Sequence, residues 1–322
     1  MTPEKHILVT GGAGFIGAHL VERLLQAGER VVVIDNLSTG SLDNLAAVKA
    51  HPRLRFIHAK ISDCTELSLL AQQATFIFHL AATVGVELVV KSALHVLEAS
   101  FHEAQLLLRA AAESATPLLL TSTSEVYGKS TKAAFSEEDD LLIGPPGQSR
   151  WSYASSKLTD EFLALAYARE KGLPVTIARL FNTVGPRQTG RYGMVLPRFI
   201  AAAKQGRPLQ VFGDGAQTRC FCFVHDVVEA LVRLQRTPAA RGEIFNIGST
   251  EEVTILELAQ RVVETLGSTS QIQLIPYDQA YAPGFDDMRR RKPLVDKLEH
   301  CIQFKPQTTL RDIIRLTAAA TA

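Results

Sequence analysis

Cysteine, tryptophan and methionine are scarce in this chain: 322 residues hold four, one and three of them. The cysteines stand apart at Cys64, Cys220, Cys222 and Cys301. That excludes the dense pairing of a disulfide-stapled secreted domain, and it gives no second cysteine pair to complete a zinc site. Cys220 and Cys222 are expected to share one face of a strand as small buried side chains. Charge of one sign is lacking too. Lys and Arg exceed Asp and Glu by one, a formal net charge of +1, which makes no electrostatic case for nucleic acid or a membrane surface. No apolar run approaches the roughly 18 residues of a spanning helix, and the opening MTPEKH has no signal-peptide core. These absences imply a soluble, cytoplasmic protein with no metal centre.

What is present is an alternation of short apolar runs with helical stripes. Strands are expected at His6–Thr10, Arg30–Ile34, Leu54–His58, Phe76–Leu80, Pro117–Thr121 and Val175–Leu180. Helices are expected at Gly14–Gln26, Ala99–Glu113 and Tyr153–Lys171. The strands read as continuous apolar runs, the pattern of a parallel sheet covered on both faces, so the fold class is a doubly wound α/β sheet. Beyond Asn182 the pattern turns irregular, with short strands at Leu209–Phe212, Cys220–Val224 and Glu243–Ile247 and helices at Asp226–Gln235 and Thr254–Leu266. Thr254 and Glu257 have the spacing of a capping box. The expected division is 1–180 with about 225–248 as a dinucleotide-binding domain, interleaved with 181–224 and 249–322 as a smaller substrate domain.

Between the first strand and helix lies ILVTGGAGFIGAHL, which places Gly11, Gly14 and Gly17 at the turn. Such glycines let the backbone approach a pyrophosphate seated at the positive end of the helix. The second strand ends on Asp35, placed to accept from a ribose 2′-hydroxyl and to repel a 2′-phosphate, which favours NAD over NADP. In WSYASSKLTDEF, Tyr153 and Lys157 are one helical turn apart. A phenol of ordinary pKa, about 10, is a poor base, and a neighbouring ammonium is expected to pull it toward neutral pH. The phenolate would then remove a hydroxyl proton while NAD takes the hydride from the same carbon.

The G-x-x-G-x-x-G spacing, FHLAA at 78–82 and YASSK at 153–157 resemble the extended short-chain dehydrogenase/reductase superfamily, its NAD-dependent epimerase/dehydratase branch. The resemblance covers nearly the whole chain. It implies a Rossmann sheet whose NAD site is lined by Gly11, Gly14, Phe15, Ile16, Gly17, Asp35, Asn36, Asp63, Leu80, Ala81 and Ala82, with Tyr153 and Lys157. It also implies that Thr123 or Ser124 bonds the reacting sugar hydroxyl, and that the enzyme is a homodimer through Ala99–Glu113 and Tyr153–Lys171.

Within that branch, TSTSEVYG at 121–128 most resembles UDP-glucuronate decarboxylases. The 4,6-dehydratases have an Asp-Glu pair where this chain has Ser124-Glu125, and 4-epimerases have a small or apolar residue at Glu125. DDMRRRKPLVDKL at 286–298 resembles the decarboxylase segment whose arginine, here Arg291, meets the substrate carboxylate. ARLFNTVGPRQ resembles the substrate loop, with Asn182 near the diphosphate and Arg187 at the pocket, and Arg219 is implied as a diphosphate partner. The sequence departs from the pattern at Lys60, where Asp is usual, at Ser100, where Asn is usual, and along 83–92. The expected activity is NAD-dependent decarboxylation of UDP-glucuronate through a 4-keto intermediate, with Glu125 acting near C5 and C6. A UDP-glucose or UDP-glucuronate 4-epimerase is the alternative, and a 4,6-dehydratase or a non-catalytic NAD sensor stand behind it.

Overall fold

The computed structural model describes residues 4–82, 93–148, 151–189, 194–280 and 288–320; the divergent loop 83–92 lies outside them. Seven parallel strands form the central sheet: β1 (His6–Thr10), β2 (Val31–Asp35), β3 (Leu54–His58), β4 (Ala74–His79), β5 (Leu118–Thr123), β6 (Val175–Leu180) and β11 (Ile244–Ile247). Their spatial order is β3-β2-β1-β4-β5-β6-β11. Every residue of β1 and β2 is buried, whereas no residue of the edge strand β3 is, as two-sided coverage and an open edge require. Chain direction across the sheet reverses between β1 and β4, so a crevice opens beyond their carboxyl ends.

Helices α1 (Phe15–Gln26) and α6 (Val224–Arg236) pack together on one face. On the other lie α2 (Leu67–Gln73), α3 (Ala93–Glu113) and α4 (Trp151–Lys171). Strand β11, late in the chain, closes the sheet beside β6. The remaining chain forms three two-stranded pieces: β7 (Thr183–Val184) with β10 (Cys222–Phe223), β8 (Leu209–Phe212) with β13 (Ile272–Ile275), and β9 (Thr218–Cys220) with β12 (Glu252–Thr254). Helices α5 (Val195–Lys204), α7 (Ile255–Leu266) and α9 (Leu310–Ala320) pack against them, while α8 (Asp296–Ile302) lies against β11 and α6. The capping box at α7 is complete, with Thr254 Oγ1 accepting from the Glu257 N–H and Glu257 accepting from the Thr254 N–H. One expectation is corrected: Cys220 and Cys222 do not share a strand. Cys220 ends β9 against β12 and Cys222 opens β10 against β7. Both are fully buried and free.

Behind β5 and β6 the interior is polar. Arg179 of β6, 3% exposed, gives Nε and Nη2 to the Glu161 carboxylate of α4 at 2.8–3.2 Å. Its Nη1 donates to the Tyr127 hydroxyl at 3.0 Å and to the Glu137 carbonyl at 3.2 Å. Tyr127 donates onward to Asn246 Oδ1 of β11, and Ser122 donates to Glu161. A buried guanidinium with this many partners is tolerated because its N–H groups find acceptors.

His79, at the end of β4 and 2% exposed, bonds Thr10 Oγ1 at 2.7 Å. Burial, and secondarily the Lys157 charge, push its imidazole down to about 3 from the ordinary 6.5. The folded chain thus refuses a proton that the unfolded chain accepts, so this contribution to stability is complete above pH 6.5 and lost as pH falls toward 3. In denaturant unfolding, His79→Gln should gain stability relative to wild type steadily from about pH 7 to pH 4; parallel pH dependences would show that His79 takes no part in acid sensitivity.

Candidate active site

The crevice beyond β1 and β4 is built by close backbone approach. Gly11 has φ 73°, and a Cβ there would lie 2.6 Å from the Ala81 nitrogen. A Cβ on Gly17 would strike the Gly11 carbonyl oxygen. Gly14 caps α1 without any side-chain acceptor, so the first-turn N–H groups beside Phe15 and Ile16 stay available to an anion. A Cβ on Gly14 would meet only the Gly11 oxygen, at 3.2 Å, which leaves room above it for a phosphate. Asp35, 8% exposed, accepts the N–H of Ala13 and of Leu37, each at 2.8 Å. Each oxygen keeps a lone pair for a ribose hydroxyl. Leu80 and Ala81 donate to the Thr10 carbonyl and hydroxyl, and Ala82 follows, half-buried. Asn36 and Asp63 are exposed, as is Lys60. Glu103 of α3 accepts the Ile61 N–H at 2.8 Å in the turn that carries Asp63. The donor and acceptor set fits a dinucleotide.

Strand β5 runs on to Thr123 before a single 3-10 turn, Ser124–Tyr127. Thr123 Oγ1 accepts the Glu125 N–H at 3.2 Å, and its side chain lies close enough to the Tyr153 phenol to act on its titration. Of the two hydroxyl candidates, Thr123 is therefore the one at Tyr153. Ser124 is 1% exposed and its Oγ has no partner among the described residues. Lys157, 2% exposed, is held by Asp160 Oδ2 at 3.1 Å, and the same oxygen accepts from Ser100 at 2.9 Å. Asp160 was not singled out from sequence, although an acid three positions after Lys157 on one helix face is a legible signal. Ser100, the departure from Asn, thus reaches the helix of Tyr153 and Lys157 through Asp160. The expected lowering of the Tyr153 pKa does not appear in the free protein. Burial first, then the Glu125 charge, push the phenol well above its ordinary value, against Thr123 and Arg291.

Arg291 and Glu125, 166 positions apart, meet beside this pair, with Nη2 to Oε1 at 2.5 Å. Arg291 Nη1 also donates to Asn182 Oδ1 at 3.3 Å. Arg219, on β9 and 7% exposed, donates Nη1 to the Thr218 carbonyl at 2.8 Å. Arg187 goes elsewhere. Its guanidinium spans both Glu22 oxygens, at 2.9 and 2.7 Å, and reaches His19 and the Asn44 carbonyl, clamping the β7 loop to α1. A carboxylate on α1 outcompetes the pocket for it.

Asp160 is the buried partner on which the Lys157 position depends. Replacing it with Asn is expected to cost about 3 kcal/mol of unfolding free energy, and Ser100→Ala about 1 kcal/mol. Equilibrium urea denaturation reads both, and an Asp160→Asn protein as stable as wild type would refute the assignment.

Comparison with known proteins agrees with this geometry. Residues 7–248 match the model of the NAD dependent epimerase/dehydratase family. The chain is 42% identical over 311 residues to the UDP-N-acetyl-alpha-D-glucosaminuronate decarboxylase of Bacillus cytotoxicus, covering 95% of this chain and 94% of that one. It is 36% identical to UDP-glucuronic acid decarboxylase 1 of Arabidopsis thaliana, over 95% of this chain and 67% of the relative. Among solved structures, the UDP-glucuronic acid 4-epimerase of Bacillus cereus in complex with UDP-glucuronic acid and NAD superposes with TM-score 0.87 at 29% identity, over 98% of both chains. By these matches the chain belongs to the NAD dependent epimerase/dehydratase family.

Proposed function

We propose that this protein is an NAD-dependent decarboxylase of a UDP-hexuronate, UDP-glucuronate or its 2-acetamido counterpart, acting through a 4-keto sugar. The observation that carries the reading is the Arg291–Glu125 pair beside Thr123 and Tyr153: a guanidinium set where a C6 carboxylate would lie. The higher identity to decarboxylases than to the 4-epimerase supports it.

Bound NAD supplies a hydride acceptor for C4 that later returns the hydride. Tyr153 takes the C4 hydroxyl proton while Thr123 holds that oxygen. The phenol of the free protein is held protonated by burial and by the Glu125 charge, so positive charge brought by the bound cofactor would have to offset that bias. The 4-ketone makes the C6 carboxylate a β-keto acid. The C5–C6 bond breaks, its electron pair moves into the C4 carbonyl as an enolate, and carbon dioxide leaves. C5 then takes one proton from solvent, and Tyr153 returns its own when C4 is reduced. Asn182 and Arg219 are assigned to the diphosphate, while Arg187 supports the loop. Residues 1–180 with about 225–248 hold NAD, and 181–224 with 249–322 hold the sugar nucleotide.

The test is product mass after incubation of the NAD-loaded protein with UDP-glucuronate and with UDP-N-acetylglucosaminuronate. A product lighter by one carbon dioxide is expected, and unchanged mass with altered stereochemistry would establish epimerisation instead. Tyr153→Phe should lower turnover by at least about 100-fold without weakening UDP binding.

We further propose a homodimer in the cytoplasm, where four free cysteines remain reduced. Leu94, Leu97 and Phe101 stand exposed along α3, and Phe162, 64% exposed, on the adjoining α4. Phe162→Glu combined with Leu94→Glu should yield monomers by sedimentation velocity; an unchanged sedimentation coefficient places the interface elsewhere.

A further inference from the structure

Arg291 is already bound to a carboxylate before any substrate arrives. Glu125 occupies its Nη2, and both side chains are largely withdrawn from water, 11% and 14% exposed. Asn182 takes Nη1, while Nε is buried with no partner among the described residues. The arginine does not depend on Glu125 for its place. Its segment is held on both sides: Thr218 N–H donates to the Arg289 carbonyl, Arg290 pairs with Glu252 at 2.8 Å, and Phe135 exchanges two backbone hydrogen bonds with Lys292 and Leu294. Glu125 is likewise fixed by its own turn, through the N–H that Thr123 accepts. Two independently anchored groups thus meet at the point a uronate carboxylate must enter.

We infer that Glu125 is a built-in competitor for Arg291, which weakens the grip of the guanidinium on the substrate carboxylate and takes the guanidinium back as carbon dioxide leaves. This rests on the decarboxylase reading above. A full-strength pair between Arg291 and the C6 carboxylate would stabilise the ground state and vanish as the negative charge moves from C6 into the ring. That loss adds to the barrier. An internal carboxylate offsets it twice. It limits how tightly the substrate group is held at the start, and it gives the buried guanidinium a partner at the end, so that no unpaired buried charge is left behind. A sugar with a neutral C6 has no carboxylate to exchange and leaves the Glu125–Arg291 pair closed. Glu125 therefore governs how strongly the protein distinguishes a uronate from a hexose.

The experiment uses the NAD-loaded, full-length Tyr153→Phe protein, which binds without turning over, as the parent for calorimetric titration with UDP-glucuronate, UDP-glucose and UDP. Adding Glu125→Gln should tighten UDP-glucuronate about tenfold and leave UDP-glucose and UDP within about twofold. Adding Arg291→Met should weaken UDP-glucuronate alone. In the Tyr153-intact background, Glu125→Gln should slow carbon dioxide release while leaving formation of reduced nicotinamide in a single turnover nearly unchanged. Glu125→Ala serves as the second variant if Gln misfolds, as judged by thermal unfolding. UDP-glucuronate bound by Glu125→Gln no more tightly than by the parent overturns the inference while leaving the decarboxylase reading intact. A parent that binds UDP but neither uronate nor hexose more tightly than UDP overturns both.

Discussion

The arrangement of this protein hangs on one buried cation. Arg179 projects from β6 into a space enclosed by β5, β11, α4 and the loop after β5, and each of these presents it or its partners with an oxygen. Glu161 is one turn beyond Lys157 on α4, so the same ion pair that neutralises Arg179 fixes the rotation of the helix carrying Tyr153. Ser122, one residue before Thr123, donates to that carboxylate. The distance between phenol and threonine hydroxyl is thus set from behind the site, by groups that touch no substrate.

Electrostatics divide the front of the site into two compensated pairs. Lys157 faces Asp160, and Arg291 faces Glu125. Tyr153 sits between them with no net positive charge to draw its proton off, and burial biases it further toward the neutral form. In the free protein the phenol is therefore held neutral.

Much of this was legible in the sequence. Continuous apolar runs foretold the parallel strands, and β1, β3, β6 and β8 fall on the expected residues. The capping residues of α7 announced its start. The Gly loop, Asp35, Tyr153 and Lys157 carry signatures in residue type and spacing, whereas Thr123, Glu125 and Arg291 are implied by family resemblance. The unread part has a common cause. Asp160, Glu161, Arg179 and Asn246 resemble surface residues when read one at a time, because burial of a charge is decided by partners far away in sequence. The short strands β7, β9, β10 and β12 hold two or three residues each, too few for any periodicity. Nor does a motif tell which carboxylate an arginine such as Arg187 will meet, here Glu22 of α1.

The parallel bridge between Phe135 and Pro293 has a consequence for the history of each molecule. It is the seam by which the last quarter of the chain fastens onto the loop beside β5, and it brings Arg291 to Glu125. During synthesis, β1 to β6 can emerge and pair long before that seam can close. A nascent chain can thus pair its first six strands early, yet Arg291 reaches Glu125 only once translation is nearly complete. The protein becomes competent for chemistry last, and any lesion that loosens the seam should leave a folded sheet without an enzyme.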